Sequence, residues 1–419
     1  VRWRRSEPSR ARARALIVVR NGVTHDARVL REARTMRDRG LDPIVVGVTT
    51  TRDAESRSVE DGTEVIRLTL AGRWPTLGRS PATPTATAAS TRPPAAPEAT
   101  RAGRTASVTG PSRSAVKRSL RSLEFLRQAC TLVLRLRPAI VHCNDHNTMW
   151  VGVVAKLLLG SRVIYDSHEL WPDRNGRPEW RPGLIAAEAL FVRVADEVIT
   201  ASPGYAEVLS RRYRVPTPIV IRNVPPLTPT PVASRADPPL AVYVGGLLRG
   251  RGLEEAIDAL ALVPGLCLRI LGPGTDGYRD ELKQRANRLG IADRVELVRP
   301  VAPTHVVEAL EGATMGIALI QPVCLSYELT LPNKLFEYAA AGLPMVVSDL
   351  PVMAAIVTEW GCGVTTPPAD AAAIASAMTQ LRDPRRHAAL SAGSRALAQA
   401  VTTQGEQARL GELYRQLMA

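Results

Sequence analysis

Aromatic residues are scarce, 4% of the 419 residues with only three phenylalanines, so any core has to be built mainly from Ala, Val, Ile and Leu. Cysteine is also sparse. Cys130, Cys143, Cys267, Cys324 and Cys362 are odd in number, widely spaced and free of any CxxC pair, which argues against a disulfide framework or a zinc site and suits a reducing cytoplasm. Long apolar runs are missing. The longest, VGVVAKLLLG at 151 to 160, is about half of what a bilayer requires and contains Lys156, so no transmembrane helix is expected. ALIVV at 15 to 19 is far shorter than a signal-peptide core and is followed at once by Arg20 and Asn21, so it reads as a first buried strand. There is no zinc finger, no glycine-aromatic RNA-binding motif, no basic stretch interleaved with aromatics and no short repeat.

With 45% hydrophobic and 22% charged residues, the remainder is ordinary for a globular chain, and its length calls for two domains. The formal charge of +14 is arginine-dominated and clusters at 2 to 14, 101 to 121 and 211 to 214. Such a surplus invites a polyanion. Without a recognition motif, nucleic acid is not the expected partner, whereas peripheral contact with an anionic membrane face is a candidate. Simple solvation of the arginines explains the charge equally well.

Short β-rich runs alternate with helical patterns, the signature of βα units and parallel sheets. Runs at 15 to 19, 43 to 48, 64 to 68, 139 to 143, 162 to 166, 197 to 200 and 218 to 221 form one α/β set. A second set follows at 240 to 245, 266 to 272, 294 to 298, 314 to 320, 344 to 348 and 363 to 366. Residues 72 to 114, rich in Pro, Ala, Thr, Ser and Arg, lack the apolar surface to fold alone and read as a flexible insertion. The proline-rich stretch 223 to 239 reads as an interdomain linker. The expected order is a basic tail (1–14), an N-terminal domain (15–224), a linker (225–239), a C-terminal domain (240–395) and C-terminal helices (396–419) packing back on the N-terminal domain. Two doubly wound domains of this kind should face each other across a cleft lined by strand ends.

Residues 331 to 344, LPNKLFEYAAAGLP, place Pro332 at a helix start and Gly342 with Pro344 past its end. Free amides at Asn333, Lys334 and Leu335, together with the helix dipole and the Lys334 ammonium, suit a diphosphate. Glu337, one turn deeper, can accept hydrogen bonds from a ribose diol. An ordinary surface helix with a Lys334–Glu337 ion pair is the competing explanation. VGGLLRGRG (244 to 252) runs from strand through glycine turn to helix, with Gly246 open to a ligand and Arg249 and Arg251 placed to clamp phosphate. Gly272, in LGPGTDG, marks a second glycine turn that serves either a ligand or a plain tight turn.

Taken in order, VGGLLRGRGLEEAIDAL, NKLFEYAAAGLPMVVSD and GCGVTTPPADAAAIASAM resemble the C-terminal domain of family 4 retaining glycosyltransferases of the GT-B fold, two Rossmann-like domains facing a cleft. The resemblance implies that Arg251 contacts the donor diphosphate and Glu337 the ribose. Two positions depart from it. Gly246 stands where the family often has a basic residue, which leaves Arg249 to supply the second charge. Leu329 stands where a glutamate is expected eight residues before Glu337, with Glu328 one place away.

In the first half, RNGVTHDARVLREA (20 to 33) puts Gly22 and Asp26 after the first strand, in the manner of the family's loop near donor phosphates and acceptor; helix capping by Asp26 competes with that role. VHCNDHNT (141 to 148) and YDSHELWPD (165 to 173) bring Asp145, His146, Asp166, His168 and Glu169 to strand ends. The resemblance implies that His168 faces the donor sugar. The candidate catalytic residues are Asp26, His168, Glu328 and Lys334, with Asp145 and Glu169 near the reacting centre. Donor binding falls to Gly22, Gly246, Arg249, Arg251, Gly272, Asn333, Lys334, Leu335 and Glu337. No DxD-type metal motif is present, so neither metal nor cofactor is expected. The expected activity is metal-independent transfer, with retention, from a nucleotide sugar to a glycan, lipid-linked or small-molecule acceptor, in the cytoplasm or on the inner membrane face. A non-transferring relative, such as a nucleotide-sugar 2-epimerase or a weak scaffold, is the alternative, ahead of a basic nucleic-acid binder.

Overall fold

The computed structural model describes residues 12–23, 26–49, 56–70, 113–175, 180–226 and 236–419. Most of the basic tail, of the 72 to 114 insertion and of the linker lies outside them. The N-terminal lobe is built on β1 (Ala13–Val18), β2 (Leu41–Thr49), β3 (Arg57–Glu60), β4 (Thr63–Thr69), β5 (Ile140–Asn144), β6 (Arg162–Asp166), β7 (Glu197–Thr200) and β8 (Ile219–Val220). They form one eight-stranded sheet in the order β3-β4-β2-β1-β5-β6-β7-β8, parallel except for β3. The C-terminal lobe carries β9 (Leu240–Val244), β10 (Cys267–Leu271), β11 (Val295–Val298), β12 (Met315–Ala318), β13 (Met345–Ser348) and β14 (Gly363–Thr366), all parallel. Their order, β11-β10-β9-β12-β13-β14, is the doubly wound one, and it puts the topological switch between β9 and β12. In the N-terminal lobe the switch falls between β1 and β5.

Central strands are apolar throughout because helices cover both faces. In β1, Leu16 and Val18 enter one core with Val141 and Tyr165, while Ala15 and Ile17 enter the opposite core with Val29 and Met36. The polar edge strand β3 has no such pattern and is absent from the sequence reading. It pairs antiparallel with β4 in a register of Glu60 with Thr63, leaving Asp61 and Gly62 as a two-residue loop, both at positive φ. Asp-Gly is the turn signal for that geometry.

The chain's last helices divide between the lobes. The helix Pro384–Ala400 stays on the C-terminal lobe, where Ser394 donates to the Leu343 carbonyl at 2.7 Å. Only Thr403–Met418 crosses to the N-terminal lobe, so the change of lobe comes at Val401 and Thr402 rather than at 396. Its Leu410, Leu413 and Tyr414 join the core beside the helix Ala27–Asp38, and Thr403 and Glu406 hold the chain at 222 to 225 where it leaves that lobe. Among the described residues no helix is long and apolar enough to cross a membrane.

The Tyr414 hydroxyl lies 2.8 Å from His142 Nδ1, both fully buried. Tyr414→Phe leaves that nitrogen without a partner and should destabilise the N-terminal lobe by about 1–3 kcal/mol. Urea unfolding followed by tryptophan fluorescence measures it; an unchanged midpoint would show that the bond contributes nothing.

Candidate active site

An open cleft of about 1060 Å³ separates the lobes, at the carboxyl ends of their strands. Its C-terminal wall is formed by the turn after β9 and by the first turn of the helix Asn333–Ala340. The turn after β9 depends on glycine, though not on Gly246. Gly245 holds φ +130°, and a Cβ there would come within 3.3 Å of Lys334 Nζ. Gly272 supports this turn from behind: a side chain on it would meet the Gly245 carbonyl oxygen at 2.0 Å, while the Gly245 amide donates to Leu271 O at 3.0 Å. Gly272 thus shapes this wall of the cleft without lining it. Gly246 does line the cleft, at an ordinary φ, and its carbonyl accepts from the Tyr243 hydroxyl at 2.8 Å.

Lys334 is buried and faces the cleft, its ammonium 3.6 Å from the centroid of the Tyr243 ring. No carboxylate lies within ion-pair distance of it among the described residues, so the Lys334–Glu337 surface pair is not formed. Burial pushes the Lys334 pKa well down, and the neighbouring Arg251 charge pushes it further. Arg251 also lines the cleft, with its guanidinium 4.4 Å over the Tyr327 ring. Glu337 shares the wall, and burial raises its carboxyl to about 7, opposed by Lys334. Asn333 joins them.

Other expected donor residues lie elsewhere. Arg249 is exposed and turned from the cleft, engaged with Glu281 and Glu254. The Leu335 side chain is core and its amide is spent on Pro332 O at 3.2 Å, so it is not a free donor. Gly22 is exposed, with its carbonyl accepting from Arg67 at 2.9 Å. Glu328 ends a short helix and does not line the cleft. Leu329 packs between the lobes: its Cβ would stand 3.0 Å from a side chain on Gly204, and its carbonyl accepts from Ser202 Oγ at 2.6 Å.

The N-terminal wall is a charged network. Asp26 caps its helix, accepting from Val29 N at 3.3 Å and from Asn21 Nδ2 at 2.7 Å, so the capping role is realised. His168 lines the cleft. Arg28 lies 2.5 Å from His168 Nδ1, and because a guanidinium only donates, Nδ1 accepts and Nε2 carries the proton. That Nε2 points at Asp145 Oδ1, 3.3 Å away. Asp145 takes a left-handed backbone, φ +71°, uncommon for a non-glycine, and burial raises its pKa. Burial would likewise raise Asp166, but Arg28, 3.3 Å away, and the adjacent histidines outweigh it and hold the carboxyl low. Glu169 lines the cleft and pairs with Arg174 at 2.6 Å.

Behind this wall Glu32, His142 and Asp166 bring ligand-type atoms within 4.8 Å of one another, a buried trio that sequence spacing does not reveal. Arg28 already supplies a cation there, 3.7 Å from Glu32 and 3.3 Å from Asp166, and Asn144 donates to Glu32 at 3.0 Å.

Two doubly wound lobes facing each other across a cleft at their switch points make the GT-B architecture. Residues 238–383 match the family described as glycosyl transferases group 1, and residues 83–224 match the glycosyl transferase 4-like domain. The chain belongs to this group 1, family 4 set of glycosyltransferases, a family of enzymes. It is 26% identical over 271 residues to a glycogen synthase of Mycobacterium tuberculosis, covering 59% of this chain and 61% of that protein. It is 28% identical over 287 residues to a D-inositol 3-phosphate glycosyltransferase of Acidothermus cellulolyticus, covering 61% and 62%. The matches thus span about three fifths of these curated relatives. Among solved structures, the fold is shared with sucrose-phosphate synthase from Thermosynechococcus elongatus (TM-score 0.74, 18% identity, 97% of this chain and 99% of that one). It is also shared with Anabaena HepE in complex with UDP and glucose (TM-score 0.65, 16% identity, 96% and 99%).

Below about pH 4.5 the Glu337 carboxyl is neutral in both folded and unfolded chains; as pH rises toward 7 the unfolded chain ionises first, so stability falls across that window. The full shift corresponds to roughly 3 kcal/mol. Glu337→Gln should remove this fall. Lys334, with its lowered pKa, contributes a slope of opposite sign, and the difference between wild-type and variant melting curves from pH 4 to pH 8, on the order of that window, isolates Glu337. Parallel curves would exclude the burial penalty.

Proposed function

We propose that the protein transfers a glycosyl group, with retention of configuration, from a nucleoside-diphosphate sugar to an acceptor held by the N-terminal lobe. The observation that carries this is Lys334: a buried ammonium without a carboxylate, facing a cleft at the amide end of a helix. An anionic ligand is what such a group lacks. Arg251 adds a second unpaired cation, and Glu337, one turn deeper, is placed to accept from a ribose diol. The HepE complexes contain UDP and UDP-glucose, which makes a uridine diphosphate sugar the first donor to try.

In this reading the bond from the anomeric carbon to the phosphate oxygen breaks, and its electron pair passes to the diphosphate. Lys334, Arg251 and the amides of Asn333 and Lys334 meet that developing charge. The acceptor hydroxyl attacks from the same face and its proton goes to the leaving phosphate oxygen. His168, its ring held between Arg28 and Asp145, forms the cleft wall against which the sugar would rest. The positive charge comes from side chains and helix dipole.

One observation favours a second reading, donor binding without transfer: Leu329, an aliphatic interlobe contact, stands where the family pattern has a glutamate. A basic nucleic-acid surface has less support among the described residues, since Arg212 pairs with Asp173 at 2.5 Å and Arg211 with Glu207 at 2.5 Å.

A thermal-shift screen of nucleotide sugars should find one stabilising donor, by about 2.7 kcal/mol at a hundredfold excess over Kd. With that donor, Lys334→Ala should lower kcat/KM by roughly 10²–10³-fold, and the product anomer should match the donor by NMR. Unchanged turnover in the variant would sink the site assignment; an inverted product would sink retention; donor binding with no transfer to any acceptor would favour the second reading.

A further inference from the structure

A second, much narrower cavity adjoins the donor cleft between the helix Ala27–Asp38 and the C-terminal helix Thr403–Met418, and the two share His168, Ala201 and Asn223. Three guanidinium groups line it, and they are differently compensated. Arg28 is spent on Asp166 and Glu32. Arg222 reaches Glu406 through Nη1 at 3.3 Å, while its Nε is buried with no partner. Arg31 donates to the neutral Asn223 Oδ1 at 2.7 Å and has no carboxylate within ion-pair distance among the described residues. Burial lowers its pKa, a measure of how poorly the charge is compensated. The acids of the same wall are occupied: Glu32 and Asp166 by Arg28, and Glu406 by Arg222. A partly buried guanidinium fork held open by an amide is a receptor for an oxyanion.

We infer that this cavity is the acceptor subsite and that it binds a phosphate monoester on the acceptor, gripped by Arg31 with Arg222. The inference rests on the glycosyltransferase reading for the word acceptor; the phosphate recognition stands by itself. The cavity has room for the phosphate group, and it opens to the donor cleft through the shared residues His168, Ala201 and Asn223, where the rest of the molecule would lie. Soluble sugar phosphates and phosphorylated lipid headgroups share this chemistry, and separate probes distinguish them.

The test is calorimetric titration of the full chain, with the donor cleft saturated by UDP. The probes are glucose 6-phosphate, glucose, inorganic phosphate, and phosphatidylcholine vesicles with and without phosphatidylinositol 4-phosphate. Glucose 6-phosphate should bind at least about tenfold more tightly than glucose, and Arg31→Gln should remove that advantage, as expected when a charge-assisted bond is lost. Arg31→Lys, which keeps the charge without the fork, should fall between them. Binding of the phosphorylated vesicles alone, lost in Arg31→Gln, supports the phosphate site and assigns it to a headgroup. Equal affinity for glucose and glucose 6-phosphate with no binding of inorganic phosphate or phosphorylated vesicles overturns the proposal, and so does undiminished phosphate binding in a folded Arg31→Gln chain. Failure of UDP to bind, with phosphate recognition intact, would instead strike the donor reading alone.

Discussion

The donor wall depends on where the Lys334 ammonium is put. A buried cation without a counter-charge costs several kcal/mol, and this one rests against a ring face rather than a carboxylate. Residue 245 is glycine at a φ that other residues avoid, which lets the backbone pass close to the ammonium, and that backbone holds its course because residue 272 is glycine behind it. Tyr243 completes the arrangement: its ring faces the ammonium while its hydroxyl ties down the Gly246 carbonyl. Two glycines and a tyrosine hold an uncompensated charge at the mouth of a helix, and an anionic ligand relieves the cost.

The opposite wall solves the converse problem. Asp145, Asp166 and Glu32 converge there, and one guanidinium, Arg28, serves the group while fixing the tautomer of His168. The helix carrying Arg28 is pressed on the sheet by the C-terminal helix, whose Tyr414 reaches His142 within the same cluster. The chain's last sixteen-odd residues therefore help position side chains at the cleft, although they follow the C-terminal lobe in sequence. The excess of positive charge at Arg31 lies at the edge of this balanced network, which is why it stands out.

Much of the fold was legible because doubly wound sheets write themselves as apolar runs broken by glycine turns. RVIYD and GVTT match observed strands, and ALIVV overlaps one but runs a residue past its end. β3 was missed because RSVE is polar on an edge, although Asp61-Gly62 marked the hairpin. The cleft lining was readable where chemistry and spacing coincide, at Lys334, Glu337 and Arg251. Gly246 lines the cleft as expected, but the part played by Gly245 was not legible, and two residues were misread where long-range structure decides: Gly272 as a ligand contact, and Arg249, whose acidic partner Glu281 is 32 residues away. Long-range groupings such as Glu32 with His142 and Asp166, or Arg31 with Asn223, have no local signal.

Leu329 shows how a single departure alters the division of labour. Its side chain belongs to the cores of both lobes, facing Gly204, while the carbonyls of Ser326 and Leu329 accept from Tyr205 and Ser202 at 2.6 Å. A carboxylate there would be partly desolvated among aliphatic neighbours, at a cost in free energy. The aliphatic residue instead gives the lobes an apolar contact. A contact of this kind favours the approach of the two walls, and with it the meeting of His168 with the Lys334 side. The polar groups of the C-terminal wall are then Lys334, Arg251 and Glu337, and position 329 serves the apolar contact between that lobe and the N-terminal one.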